Sequence, residues 1–350
     1  MGTFFKKIFI TLNIITVLAL ITAYLSVKIS PAVFCYPAFF GLAYPYILFA
    51  NILFILGWLF FNPIYSLLSL SVIIAGYSHT NDYFQFVKSE TEKNGLEVLS
   101  YNVQGFWRSS EGDTKHRVST VAKYLEQQKS DIICLQEATH VGKIYNEWKK
   151  DFNTLKLPTY VINKGGQVIM SNFPIINSKK QGFKNSGNNF IYADIVISKD
   201  TVRVYNCHLQ SYAFTSRDIG LLDSISMTNK SALVKDAQLY INKLSKGFIK
   251  RAEQVGTLRK SIDDSPYPVI VCGDFNDTPV SYTYHTVIGE NLFDAFVESG
   301  NGLGSTYNGK LPSFRIDYIF HDSNFKSFNF QTEDAELSDH YPIKCRLLKK

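Results

Sequence analysis

Residues 268–279 read Pro-Val-Ile-Val-Cys-Gly-Asp-Phe-Asn-Asp-Thr-Pro. The four residues 269–272 are apolar and rich in β-branching, which predicts a short strand buried on both faces. Gly273 lets the backbone turn. Asp274, Asn276 and Asp277 follow at once, and Pro279 blocks a return to regular structure. A buried strand thus delivers one amide and two carboxylates to a single rim, which is costly unless they meet a cation or a phosphate. The plainer alternative is an Asx-rich turn after a core strand, a common arrangement.

Outward from this stretch, other strand-like segments end in the same way. Residues 96–101 stop at Asn102, 132–135 run into Gln136 and Glu137, and 202–207 stop at His208. Residues 314–320 carry Arg315 and Asp317, and the loop before a last strand at 343–348 holds Asp339 and His340. Each alone has an ordinary explanation. Glu137 could cap a helix, His208 could be a satisfied core histidine, Asp317 could pair with Arg315, and Asp339 could form a turn. Six such endings in one chain point to one site.

The connecting segments fit a mixed α/β chain. Val118, Val121, Ala122 and Leu125 have helical spacing within 118–128, and Gly165-Gly166 joins 160–162 to 168–170 as a hairpin. Residues 190–197 alternate as a strand, and 282–287 read as a helix. Phe248, Ala252, Val255, Leu258 and Ile262 fall on one helical face, with Lys246, Lys250, Arg251, Arg259 and Lys260 around it as a solvated basic surface. The sharper alternative makes the irregular stretch 210–230 a lid over the site.

The amino-terminal quarter differs in kind. Residues 8–27 are apolar and uncharged, the length a helix needs to cross a bilayer. A signal peptide is the rival, but the run is long and more apolar sequence follows. Residues 39–61 suffice for a second span, and 64–77, after the Asn62-Pro63 break, form a third that is short enough to be re-entrant. The expected organisation is a transmembrane region over 1–80, a linker over 81–95 and a catalytic domain over 96–350. Lys6 and Lys7 favour a cytoplasmic amino terminus, so three spans put the polar part outside the cytoplasm, and two spans plus a re-entrant segment would reverse that. The expected location is a bacterial inner membrane with the catalytic domain on the periplasmic side.

Charge and cysteine content exclude little. The chain has 350 residues and a net charge of +6, of which the first 87 residues carry +2. A mildly basic polar part suits a phosphorylated or polyanionic substrate without arguing for nucleic acid. Five cysteines with no CxxC pair make a disulfide framework or a cysteine zinc site unexpected.

Taken in order, Leu-Ser-Tyr-Asn-Val (99–103), Asp-Ile-Ile-Cys-Leu-Gln-Glu (131–137), Asn-Cys-His-Leu (206–209), Gly-Asp-Phe-Asn-Asp (273–277), Arg-Ile-Asp-Tyr-Ile (315–319) and Ser-Asp-His-Tyr-Pro-Ile (338–343) resemble the endonuclease/exonuclease/phosphatase family of DNase I-like and sphingomyelinase-like phosphoesterases. The resemblance runs over about 96–348 and fits a membrane-anchored bacterial member. It implies an α/β four-layer sandwich, two packed mixed β-sheets flanked by helices. It implies Mg²⁺, with Mn²⁺ as substitute, held by Asn102, Glu137 and Asp339. Asp274 would orient or deprotonate the attacking water. His208, Asn276, His340 and Arg315 would contact phosphate, and His208 could protonate the leaving oxygen. His340 would stabilise transition-state charge, with Asp339 fixing its tautomer and Asp317 supporting the histidines. Gln104 stands where many family nucleases carry a carboxylate, so a single metal is expected.

The implied function is hydrolysis of a phosphodiester or phosphomonoester by in-line attack of water. The substrate is a phospholipid, favoured by the anchor, or nucleic acid, favoured by the basic charge. The lipid bilayer is the other partner, through the amino-terminal helices, and no protein partner is implied. The Asn-x-His-Leu form argues against an abasic-site repair nuclease. The alternative is a catalytically silent binding or scaffold protein on the same fold.

Overall fold

The strand predicted from residues 269–272 runs from Val269 to Asp274 and is buried throughout. It lies in a computed structural model that describes residues 2–86, 92–108, 113–138, 160–212, 214, 218, 230–309 and 312–350. Most of the expected lid over 210–230 lies outside the described residues. The chain divides into two units: 84–226 with 254–276 and 287–350, and 1–83 with 227–253 and 277–286.

The larger unit holds two six-stranded sheets. Its strands are β1 (Leu96–Asn102), β2 (Ile132–Gln136), β3 (Tyr160–Lys164), β4 (Gln167–Ser171), β5 (Ile175–Gly182), β6 (Asn189–Ile197), β7 (Asp200–His208), β8 (Val269–Asp274), β9 (Leu292–Asp294), β10 (Asp317–Asp322), β11 (Phe325–Thr332) and β12 (Ile343–Lys349). One sheet has the order β11-β12-β1-β2-β4-β3, the other β5-β6-β7-β8-β10-β9. Among the described residues, only β1–β2 and β7–β8 pair parallel. The sheets pack face to face over one apolar core, and helices lie outside, as the resemblance implies.

A period of two builds this core and then the site. Leu96 and Val98, Ile132 and Cys134, Val202 and Val204, and Ile270 and Cys272 all enter the inter-sheet core. The next positions of the same parity turn polar: Ser100, Gln136, Asn206 and Asp274 are all buried. Gln136 Nε2 donates to Asn206 Oδ1 at 2.8 Å and to Ser100 Oγ at 3.1 Å, and Asn206 Nδ2 donates to the Leu135 and Val168 carbonyls at 2.8 Å each. This layer closes the apolar core below the site and ties the two sheets together. Asn206→Ala is expected to destabilise the protein by about 2–4 kcal/mol, because several buried groups lose their partner at ~1–3 kcal/mol each. A thermal or denaturant melt checks it, and a loss below 1 kcal/mol would contradict the bridging role.

Helix Thr114–Gln128 covers the outer face of the first sheet. Its apolar stripe, Val118, Val121 and Leu125, packs on Leu99, Tyr101, Ile133 and Leu135. Asp113 caps its first turn by accepting from the His116 amide at 2.8 Å. On the second sheet, Tyr205 donates to the Ser261 carbonyl of helix Lys230–Asp263.

Two strands carry no clear sequence signal. β5 is a mostly exposed edge strand with Lys179 and Lys180, and lysines on an edge discourage pairing with another chain. β11 is broken by a register shift between Phe328 and Gln331, which upsets its alternation. The segment expected as a strand over 314–320 begins pairing only at Asp317.

The smaller unit contains helices Thr3–Leu25, Tyr36–Leu42, Tyr44–Phe61, Ser66–Ala75 and Tyr77–Tyr83. The first and third are long and apolar enough to cross a membrane, and only 17% of each apolar window is buried. The single helix expected over 39–61 is interrupted at Ala43, where Pro45 lacks the amide that would continue the ladder. Polar residues join these helices. Trp58 Nε1 donates to Asn13 Oδ1 at 2.9 Å, Asn13 Nδ2 to Ser69 Oγ at 2.6 Å, and Ser69 Oγ to Asn51 Oδ1 at 2.8 Å. Such bonds favour helix association where apolar surface cannot.

Chain from the expected catalytic region joins this unit. Val280 packs among Leu20, Ala23, Val27, Tyr44 and Tyr83, and Phe39 meets Phe248 edge-on. Arg251, read as solvated surface, is fully buried here. Its Nε lies 3.1 Å from Asp277 Oδ2, which also accepts from Thr283 Oγ1 at 2.7 Å. Asp277 therefore spends its carboxylate on an ion pair and a helix start, not on the rim reached by Asp274.

Candidate active site

Strand register gathers the site. In the second sheet His208 is opposite Asp274, and Asp274 is opposite Asp317, across β7, β8 and β10. In the first sheet Asn102 is opposite Gln136, and Glu137 follows directly. All six lie at the polar end of the inter-sheet core. Several of the backbones there are strained: Gln104, Glu137 and Asn276 have φ of 46°, 54° and 53°. A non-glycine residue rarely adopts this region, and such residues concentrate at functional sites. Gly273, at φ 144°, leaves room for the neighbouring Cys207 carbonyl, which a Cβ would strike at 2.0 Å.

Asp274 is the centre of the hydrogen bonding. Its Oδ1 accepts from the Asn276 amide at 2.8 Å, and its Oδ2 accepts from Asn102 Nδ2 at 2.9 Å and Asn276 Nδ2 at 3.1 Å. The same Oδ2 lies 3.7 Å from His340 Nε2 and 3.8 Å from His208 Nε2. Burial raises its carboxyl pKa, His340 pulls it down and Asp317 raises it further, with a net upward shift. A carboxylate so placed is a better proton acceptor than one in water.

His340 is held by Asp317, whose Oδ2 lies 2.8 Å from Nδ1. Thr306 Oγ1 fixes Asp317 by accepting its backbone amide at 3.1 Å. Burial lowers the imidazole pKa, but Asp317 and then Asp274 outweigh it, and it rises to about 10. The raised value means His340 stabilises the fold fully below its ordinary pKa and loses that contribution as pH climbs through about 10. Asp339 was expected to fix this ring. Its carboxylate instead accepts from Gln104 Nε2 at 2.8 Å, so the tautomer depends on Asp317. Asp317 likewise does not pair with Arg315.

Arg315 also departs from expectation. It is buried, with Nη1 2.6 Å from Asp294 Oδ2 and its guanidinium 4.4 Å from the Phe296 ring. The β10 ladder starts only after it, so its side chain turns into the core and offers nothing to a phosphate. Asn276 Nδ2 is engaged by Asp274 and by the Leu209 carbonyl at 3.1 Å, so it positions Asp274.

Glu137 and Asp339 mark the more open side, with buried Asn102 beside them. Glu137 Oε1 lies 3.5 Å from His208 Nε2 and 3.3 Å from Asn102 Nδ2. Asn102 Oδ1 accepts the Gln104 amide at 3.0 Å. The Asp339 pKa is raised, first by burial and then by the charge of Glu137, against the opposing pull of His340. Two carboxylates on one polar rim, with an amide oxygen beside them, suit a hard divalent cation.

Three contributors escaped the sequence reading. Ser338 Oγ donates to the Asn102 carbonyl at 2.7 Å and thereby ties the last loop to β1. Tyr307 meets His340 edge-on at 5.5 Å and bridges it through the backbone. Thr306 orients Asp317. The loop of Thr306 and Tyr307, Ser305-Thr306-Tyr307, has no periodicity to announce it.

Comparisons agree with this fold. Residues 99–340 match the model of the Endonuclease/Exonuclease/phosphatase family, and residues 6–83 match that of a domain of unknown function. Against curated proteins there is no significant match. Among solved structures, the human Nocturnin catalytic domain with bound sulfate anion is 14% identical, with a TM-score of 0.51, over 73% of this chain and 95% of that one. A D. rerio TDP2 humanized by 14 mutations is 17% identical, with a TM-score of 0.50, over 73% and 99%. D. rerio TDP2 complexed with single strand DNA product is 17% identical, with a TM-score of 0.50, over 73% and 100%. At these identities the likeness is one of fold.

Proposed function

The chain belongs to the endonuclease/exonuclease/phosphatase family, and from that premise we propose that it is a membrane-anchored, Mg²⁺-dependent phosphoesterase. The observation that carries the reading is Asp274 Oδ2 facing both His208 and His340, with Glu137 beside them. A proton acceptor, two imidazoles and a metal-type carboxylate share one rim.

In this reading Glu137, Asp339 and the Asn102 oxygen hold the cation, and Mn²⁺ would serve in place of Mg²⁺. When bound, the cation polarises the phosphoryl oxygens and offsets developing charge. The chain's own groups do the rest. Asp274, fixed by Asn102 and Asn276, orients the attacking water and takes its proton. His340, kept protonated by Asp317, donates from Nε2 to the crowded equatorial oxygens of the transition state. His208 contacts the phosphate and protonates the leaving oxygen. Asn276 and Asp317 act through Asp274 and His340.

The two apolar helices support attachment to a bilayer. They favour a membrane phospholipid over nucleic acid as the source of the phosphoester. The test is product release by the full-length protein in detergent, with Mg²⁺ or EDTA, on mixed phospholipid–sphingolipid vesicles and on labelled DNA. Metal-dependent cleavage of the vesicles is expected. Cleavage of DNA alone would overturn the lipid assignment, and cleavage of neither would overturn the phosphoesterase reading for both classes.

A further inference from the structure

A second cluster of ligand-type side chains lies in the smaller unit and shares no residue with the candidate active site. His79 and Asp82 stand three residues apart on helix Tyr77–Tyr83, so they share one face. His285 comes from helix Tyr282–Ile288. One ligand atom from each residue can be chosen so that all three lie within 4.8 Å of one another. His285 Nε2 is 3.6 Å from Asp82 Oδ2. Ligands about 2.0–2.1 Å from a tetrahedral zinc ion stand roughly 3.4 Å apart, so this edge already has nearly the required length.

The surroundings favour a cation over an ordinary hydrogen-bonded pair. His79 Nδ1 and His285 Nε2 are both buried atoms without a hydrogen-bond partner among the described residues. Buried imidazole nitrogens are nearly always satisfied, so two unsatisfied ones around one carboxylate need an explanation. The rings are held in place: Tyr24 stacks on His79 at 4.9 Å, and His79 meets His285 edge-on at 5.6 Å. Burial, followed by the charge of Lys28, lowers the His79 pKa, and burial followed by His79 lowers that of His285 to about 4. Neutral imidazole is the form that ligates metal. Lys28 opposes a cation, and the Asp82 carboxylate offsets it.

We propose that His79, Asp82 and His285 form a zinc-type site that ties the helix after the last apolar segment to the helix after the Gly273–Asp277 turn. Two imidazoles and one carboxylate suit zinc better than magnesium, which prefers oxygen donors alone. Three protein ligands leave one coordination position for water. Contraction of the remaining edges from within 4.8 Å completes the site.

The test uses the full-length protein, tag removed, in detergent. Zinc content is measured in the wild type, in Glu137→Gln, and in Glu137→Gln combined with His285→Gln. The Glu137→Gln background disables the candidate active-site metal. About one zinc per chain is expected in the first two proteins and less than a tenth of that in the third. The stripped wild type should also take up Co²⁺ and develop the visible bands of a tetrahedral complex. Equal zinc in all three proteins would overturn the proposal, and so would the absence of Co²⁺ bands in the wild type. If the His285→Gln protein does not fold, Asp82→Asn replaces it, and the Co²⁺ titration of the unaltered chain decides alone.

Discussion

Glu137→Gln is expected to lower turnover by at least ~10²-fold and to shift its magnesium dependence to higher concentrations, because removing one preorganised electrostatic partner costs about 10²–10³. The substitution keeps the side-chain length but removes the charge from the open side of the site. Asn102 would then orient a neutral amide, and Asp339 would lose the neighbour whose charge raises its pKa. The fold should tolerate the change, since Glu137 lies at the rim and its partners there are His208 and Asn102. A magnesium titration of turnover separates a binding effect from a chemical one. Wild-type turnover with an unchanged midpoint would remove Glu137 from the metal site.

Asp317→Asn and His340→Ala are each expected to lower turnover by ~10²–10⁴-fold, the range for an acid–base group. Their double variant should be hardly worse than either alone, because the two act as one unit. Asp317 Oδ2 accepts from His340 Nδ1 and so directs Nε2 toward Asp274. An asparagine can present its amide nitrogen to Nδ1, which selects the opposite tautomer and removes the charge that holds the imidazole protonated. The readout is turnover of the three variants beside their melting temperatures. Additive losses would mean that Asp317 and His340 act separately.

Much of the site could be read from the chain because strands obey a strict period of two. Ile270, Cys272 and Asp274 share a face, as do Val202, Val204, Asn206 and His208. An apolar run that ends on a carboxylate or imidazole of the same parity therefore projects that group from the core end. What resisted reading was partner choice. Asp317 and Asp339 both stand close in sequence to a plausible basic partner, Arg315 and His340 respectively. Sequence proximity favoured those pairs, but Arg315 precedes the β10 ladder and Asp339 turns to Gln104. Arg315 instead meets Asp294 in the core, and His340, in the loop before β12, meets Asp317 at the start of β10. Arg251 misled for a similar reason. A basic residue on an amphipathic helix reads as surface until a buried carboxylate, Asp277, arrives from a distant turn.

The edges of the fold were the least legible. β5 carries outward lysines and polar residues over most of its length, and β11 loses its alternation at a register shift. The division of the chain was also less simple than a cut near residue 80. Val280 and Phe248 pack with the amino-terminal helices, and no local composition marks either as part of that unit. Removing the apolar segments would therefore uncover apolar surface on the remaining chain.

The central claim is that the rim around Asp274 hydrolyses phosphoesters with a divalent cation. The most direct measurement is the rate at which full-length wild type and Asp274→Asn hydrolyse bis(p-nitrophenyl) phosphate in detergent, with Mg²⁺ and then with EDTA. The account predicts turnover by the wild type that stops with EDTA, and a rate at least ~10²-fold lower for a variant with unchanged melting. Equal rates for the two proteins, or a wild-type rate indifferent to EDTA, would contradict it.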